Sequence, residues 1–129
     1  MSPLKDIESN GFYYTPKLIT GADKSMPALS QELFGPVFSV IRTSKDGIVS
    51  LANDTGYGLG ASLWTRDKDF ANSISHKIDS GMVFINEMTK SSPEIPFGGI
   101  KKSGYGRELS PLGLYEFANI KSIYSSTSE

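Results

Sequence analysis

The sequence predicts an α/β fold in which a parallel sheet is covered by helices. Three observations carry this prediction. Strand-like and helix-like segments alternate, strand–helix–strand–helix–strand, over residues 37–86, the pattern of βαβ units. Two of those strands, "VFSVIRT" and "MVFIN", are nearly continuous apolar runs, as strands buried on both faces must be. Between them Phe70, Ile74 and Ile78 sit four apart, with Ala71 beside them. That spacing makes one apolar face of a helix.

Each element follows from its residues. Gly11–Thr20 ("GFYYTPKLIT") is aromatic and β-branched and reads as a strand, with Pro16 confining it to an edge or bend. Gly21–Pro36 is turn-rich with a short helical piece. Val37–Thr43 is the first buried strand. Ser44 can cap a helix reaching about Asn53 and carrying Ile48, Val49, Leu51 and Ala52, although Gly47 weakens its first turn. Gly58–Thr65 reads as the next strand. Asp67 caps the clearer helix, and Gly81 is its stop signal. Met82–Asn86 is a fully apolar strand, followed by a long loop of about two dozen residues. A further short helix opens at Ser110–Pro111, with the cap at Ser110 and proline in the first helical position. Ile120–Ser126 alternates as a final strand would, and the last few residues are polar and expected to fray.

The chain has 129 residues, which suits one domain and a sizeable core. Apolar residues make up 38% and charged residues 21%, and the net charge is −1. That balance is ordinary for a soluble globular protein and gives no electrostatic reason to expect nucleic acid or an anionic membrane as partner. No apolar run approaches a membrane span, and "MSPLKDIESNG" has no signal-peptide core; a cytoplasmic protein is expected. There is no cysteine. This excludes disulfides, thiolate metal sites and a cysteine nucleophile within the chain. A triad or zinc site would need the single histidine, His76, which reads instead as a solvated helical residue.

The stretch "EIPFGGIKKSGYGRE", Glu94–Glu108, carries four glycines among lysines and suggests a phosphate loop. The spacing rejects it. A nucleotide-phosphate loop needs Lys and a hydroxyl after the second glycine, but Tyr105 and Gly106 follow Gly104. The dinucleotide fingerprint fails there at Leu109, and fails in "GYGLG" (Gly56–Gly60) at Leu63. What remains is a loop whose glycines allow positive φ and close approach, anchored by Lys101, Lys102, Arg107 and Glu108.

Four segments then coincide in order and spacing: "ELFGP" (Glu32–Pro36), "LANDTGYGLGASLWTRD" (Leu51–Asp67), "GMVFIN" (Gly81–Asn86) and "PFGGIKKSGYGRE" (Pro96–Glu108). Together they resemble the C-terminal part of an NAD(P)-dependent aldehyde dehydrogenase, from about Gly11 to Ile123. The segments "NEMTKSSPEIPFGGIKKSGYGRELS" and "GLYEFANIKSI" are most similar to succinate-semialdehyde dehydrogenases. The resemblance implies the C-terminal half of the family's catalytic domain spanning residues 1–129, with 120–126 as a candidate oligomerisation strand. A parallel sheet cut in mid-domain leaves an unpaired strand edge and exposed apolar faces, so a homo-oligomer is expected.

In that family a cysteine thiolate attacks the aldehyde, hydride passes to NAD or NADP, and a glutamate base activates the hydrolytic water. The resemblance assigns roles residue by residue. Glu32 matches the glutamate that accepts hydrogen bonds from the nicotinamide ribose, and Phe34 an aromatic residue against the nicotinamide. Ser91 matches a serine that helps hold the distal carboxylate of succinate semialdehyde, with Lys90 adjacent. Phe97 matches a wall of the aldehyde tunnel. Glu108 matches a buried glutamate, a possible auxiliary in positioning or proton movement. Asn53 and Arg107 match structural positions. The reacting cysteine, the oxyanion-hole asparagine, the base and the cofactor-binding glycines have no counterparts here. By itself the chain is therefore expected to be inactive and to hold no cofactor tightly. Two readings stay open at this point: a fragment completed by the missing N-terminal part of the enzyme, and a stand-alone binding or assembly module derived from the same fold.

Overall fold

A computed structural model describes residues 11–23 and 25–126. The chain forms two compact units, Met1–Leu51 and Ala52–Glu129.

In the first unit, strand β1 (Lys17–Thr20) leads through the short helix α1 (Pro27–Ser30) into strand β2 (Val37–Val40). The strands pair in parallel, Lys17 opposite Val37 through Thr20 opposite Val40, so this is itself a small βαβ unit. The strand expected over Gly11–Thr20 is confined to its last four residues. Pro16 is the reason: it has no N–H for a ladder, and the pairing starts one residue later, where the Lys17 N–H also reaches the Pro36 carbonyl at 2.8 Å. A turn of 3₁₀ helix (Lys45–Gly47) precedes helix α2 (Ile48–Asn53). Ser44 makes no side-chain capping bond. With Gly47 in the first turn and no cap, the helix starts tight and becomes α-helical only after the glycine.

The second unit holds strands β3 (Tyr57–Gly58) and β4 (Gly60–Leu63), helix α3 (Lys68–Ser75), strands β5 (Met82–Ile85) and β6 (Ile100–Lys101), and helix α4 (Ser110–Tyr115). Strands β4 and β5 pair in parallel, Gly60 opposite Met82 through Leu63 opposite Ile85, with α3 as their crossover. Strands β3 and β6 form a short antiparallel pair. Among the described residues the strands form three two-stranded pairs, two of them, β1–β2 and β4–β5, parallel with a helix in the crossover as the βαβ pattern predicts.

Helix α3 follows its sequence signals. The Asp67 carboxylate accepts from the Phe70 N–H at 2.9 Å, satisfying one orphan donor of the first turn. Ala71 and Ile74 of this helix and Met82 of β5 are the buried apolar side chains of this unit among the described residues. Asp67→Ala is expected to destabilise this unit by about 1 kcal/mol, read as a lower urea midpoint by circular dichroism. Gly81 does not stop the helix, which ends at Ser75 with His76 as its exposed C-cap. Gly81 instead marks a close backbone approach: a Cβ there would lie 1.8 Å from the Gly98 carbonyl oxygen. The helical hydrogen bonding of α4 takes in Ser110, one residue before the position expected, but Ser110 itself has φ 55° and its hydroxyl accepts from the Leu112 N–H at 3.2 Å.

Two asparagines lock the second unit. Asn53, at the end of α2, donates to the Lys77 carbonyl and accepts from the Asp79 N–H, each at 2.8 Å, which pins the turn between α3 and β5. Asn86 exchanges two bonds of 2.8 Å with the backbone of Thr65, clamping the ends of β4 and β5. Asn86 does so at φ 56°, a conformation its short amide tolerates better than most side chains.

The segment Ile120–Ser126, expected as a strand, pairs with no strand among the described residues, and its residues are exposed. Val37–Thr43, expected to be buried, is largely exposed as well, with Phe38 63% accessible. No helix among the described residues is long and apolar enough to cross a membrane.

Candidate functional site

The stretch Glu94–Glu108 becomes a wall in the second unit. Phe97 and Glu108 stand opposite each other as an antiparallel bridge, exchanging two backbone hydrogen bonds of 2.8 Å. Residues directly opposite in such a pair project their side chains to one side. Phe97 and Glu108 therefore share a face, and both line an open cavity of about 360 Å³ together with Leu59, Arg107, Glu116 and Phe117.

The loop between them is held at both ends by the charges the sequence pointed to. The Arg107 guanidinium donates through Nη1 to the Gly99 carbonyl at 2.8 Å and to the Gly106 carbonyl at 2.9 Å. Lys101 Nζ reaches the Asn53 and Thr55 carbonyls at 3.1 and 3.2 Å and lies 4.0 Å from the Asp79 carboxylate. These acceptors sit just past the end of α2, where carbonyls lack helical partners and a cation is favoured. The Ser103 hydroxyl accepts from the Gly58 N–H at 3.0 Å, tying the loop to β3. Gly104, at φ 143°, supplies a turn that a side chain would strain. Lys101, Leu109 and Ser110 also have positive φ. Backbone strain thus concentrates beside the Phe97–Glu108 bridge, and no residue-type signal announces it at a leucine.

Ser91 is exposed in the segment leading into this wall. Lys90 beside it is 3.0 Å from the Glu87 carboxylate, and that hydrogen bond holds the Glu87 carboxyl below its ordinary value. The Ser92 hydroxyl donates to Glu94, which lowers the Glu94 carboxyl in the same way. The lysine expected to lend charge to Ser91 is engaged with Glu87 instead. Glu108, expected to be buried, is exposed. Its backbone is fixed in the bridge while its side chain stays open to solvent among the described residues.

Glu32 and Phe34 belong to the first unit, between α1 and β2. The Gly35 N–H bonds back to the Leu33 carbonyl at 3.0 Å, a three-residue turn with Phe34 at its centre. This turn pushes the ring outward, where it is 95% exposed. Glu32 is exposed two residues earlier. An accessible carboxylate thus stands two residues from an accessible ring. The structure brings Phe97 and Glu108 together, and Glu32 and Phe34 together. Asn86 was not singled out by residue type; the signal for it was its place directly after an apolar strand.

The aldehyde dehydrogenase family matches residues 2–123. Succinate-semialdehyde dehydrogenase [NADP(+)] 1 of Mycobacterium tuberculosis is 48% identical over 121 residues, covering 93% of this chain and 26% of that protein. A succinic semialdehyde dehydrogenase from Streptococcus pyogenes, solved with NADP+, superposes with a TM-score of 0.80 at 44% identity, covering 85% of this chain and 24% of that one. Betaine aldehyde dehydrogenase from Staphylococcus aureus, solved with NAD+, gives 0.74 at 38% identity, covering 78% and 20%. The chain spans about a quarter of the length of the curated relatives it matches.

Proposed function

This chain belongs to the aldehyde dehydrogenase family, and on that premise we propose that it forms the C-terminal quarter of an enzyme oxidising succinate semialdehyde to the carboxylic acid with NAD or NADP. The observation that carries the substrate is the 48% identity with a succinate-semialdehyde dehydrogenase over 121 residues. In this reading Phe97 is an apolar wall that excludes water from the aldehyde, and Glu108 stands beside it as an auxiliary group. The bridge holds the two side by side. Ser91 offers its hydroxyl to the distal carboxylate. Glu32 would hold the ribose hydroxyls of the cofactor and Phe34 would lie against the nicotinamide; the cofactor, when bound, accepts the hydride. The exposed, alternating segment Ile120–Ser126 is the proposed oligomerisation strand, with Ile120, Ile123 and Tyr124 as its apolar contacts.

The test is a chimera in which these residues replace the matched segment of the M. tuberculosis enzyme. Ser91→Ala is expected to raise the KM for succinate semialdehyde about tenfold, one charge-assisted hydrogen bond's worth, and to leave the KM for butanal unchanged. Equal effects on both aldehydes would remove Ser91 from carboxylate recognition.

A further inference from the structure

Glu108 is followed by two consecutive non-glycine residues at positive φ. Leu109 has φ 62° and ψ 176°, a combination that essentially only glycine adopts. Ser110 has φ 55°. Strain of this kind persists only where the surroundings impose it. Glu108 is fixed by its two 2.8 Å backbone bonds to Phe97. Behind it lies the buried Gly113 of α4, where a Cβ would stand 3.0 Å from the Glu108 carbonyl carbon. The Gly113 N–H donates to the Leu109 carbonyl at 3.0 Å, so α4 backs the turn.

The strain is tied to a change of register. In an antiparallel ladder running on from the Phe97–Glu108 bridge, the next hydrogen-bonded pair would be Ile95 with Ser110. The Ser110 N–H donates instead to the Pro93 carbonyl at 2.8 Å. The Leu109–Ser110 peptide must turn to make that bond, and the Leu109 dihedrals are the turn. Two extra residues of the facing segment are thereby taken up. They fold so that the Ile95 N–H reaches the Ser92 carbonyl at 3.1 Å, and the Ser92 hydroxyl donates to Glu94. The facing segment is thus tied twice, at Phe97 by an ordinary bridge and at Pro93 by a bond whose opening relaxes Leu109. Ser91 lies two residues beyond the strained tie.

We propose that Leu109 is a positioning residue: its strained turn latches the Ser91–Phe97 segment and sets how strictly the site selects the length of an aldehyde with a distal carboxylate. With the Ser110–Pro93 bond made, the Ser91 hydroxyl and the Phe97 wall stand at one separation. A carboxylate held at Ser91 then brings the aldehyde carbon to Phe97 for one chain length. With the bond open, Ser91 moves with the released residues and a longer chain fits. The inference rests on the proposed role of Ser91 in holding that carboxylate.

Two substitutions move the strain in opposite directions. Leu109→Gly accepts the observed dihedrals without strain and keeps the latch shut. Leu109→Val places a β-branched side chain at positive φ and opens it. In the full 129-residue chain, amide exchange at Ser110, measured relative to the Phe97 amide, is expected to be about tenfold slower with glycine and about tenfold faster with valine. Activity is read in the chimera with the M. tuberculosis enzyme. There kcat/KM for succinate semialdehyde is expected to exceed that for glutarate semialdehyde, one methylene longer, by about tenfold or more. That ratio should rise with Leu109→Gly and fall toward unity with Leu109→Val, through KM rather than kcat. The butanal-to-pentanal ratio, with no carboxylate to anchor, is expected to stay constant. Relative exchange at Ser110 that fails to slow in Leu109→Gly, or a succinate-to-glutarate ratio that fails to rise there, overturns the inference, even where Leu109→Val does not fold. A change shared by butanal and pentanal overturns it too. A parent chimera that treats succinate semialdehyde and butanal alike defeats the proposed substrate and the inference together, whereas a parent that prefers the carboxylated aldehyde while the variants leave its length ratio unchanged defeats the inference alone.

Discussion

The purified 129-residue chain is expected to produce no NADH or NADPH from succinate semialdehyde, at least about a millionfold below a complete enzyme of the family. The reaction needs a nucleophile that forms a covalent adduct and a base whose pKa lies near neutrality. The sequence has no cysteine. Its one histidine, His76, is exposed at the end of α3, far in sequence from the Phe97–Glu108 wall. The carboxyls of Asp23, Glu87 and Glu94 lie below their ordinary value, because neighbouring hydrogen bonds favour their ionised forms. That direction makes them weaker bases at neutral pH. Following absorbance of the reduced cofactor at micromolar chain concentration checks this, and any turnover that survives repurification would remove the proposed division of labour.

Gly81→Ala is expected to destabilise the second unit by about 3 kcal/mol, because a methyl there meets backbone more closely than at any other glycine. A Cβ at Gly81 would lie 1.8 Å from the Gly98 carbonyl oxygen and 3.0 Å from the Gly99 Cα. Both are backbone atoms, so no rotamer change can make room. Gly81 also donates to the Gly58 carbonyl at 3.0 Å, which prevents β5 from sliding away. The strain must then push the Gly98–Gly99 segment outward and loosen the Phe97–Glu108 bridge beside it. A fall in the urea midpoint together with faster amide exchange at Phe97 and Glu108 is the expected outcome. A fall in midpoint without faster exchange at the bridge would show that the approach at Gly81 does not set the loop.

The elements most legible in the sequence are those whose signals are local. Asp67 before an apolar four-residue spacing produced α3, a short apolar run produced β5, and the turn-rich Gly21–Pro36 stretch held the short helical piece that became α1. Rejecting the phosphate loop also needed only spacing. Arg107 and Lys101 could be read as anchors because fixed charges beside glycines need acceptors, and both found backbone carbonyls.

Other features were not legible, for a physical reason in each case. Val37–Val40 carries the composition of a buried strand, yet Phe38 is open; composition records what a strand is suited to contact, not whether the contacting layer is in the same chain. The same holds for Glu108, expected to be buried and found exposed, and for Ile120–Ser126, whose alternation has no partner strand here. Gly81 read as a helix stop because a glycine after a helix usually is one, whereas its true constraint comes from Gly98, distant in sequence.

The sequence by itself determined the family, the α/β alternation, the capped helix α3 and the absence of a thiol nucleophile, because periodicity, capping and composition act over a few residues. Only the tertiary structure decided that the strands form separate pairs, that Phe97 and Glu108 face one cavity, that Asn53 and Asn86 clamp the second unit, and that Phe38 of β2 stands open. Those outcomes depend on which backbone atoms meet across tens of residues, and no local pattern encodes such meetings.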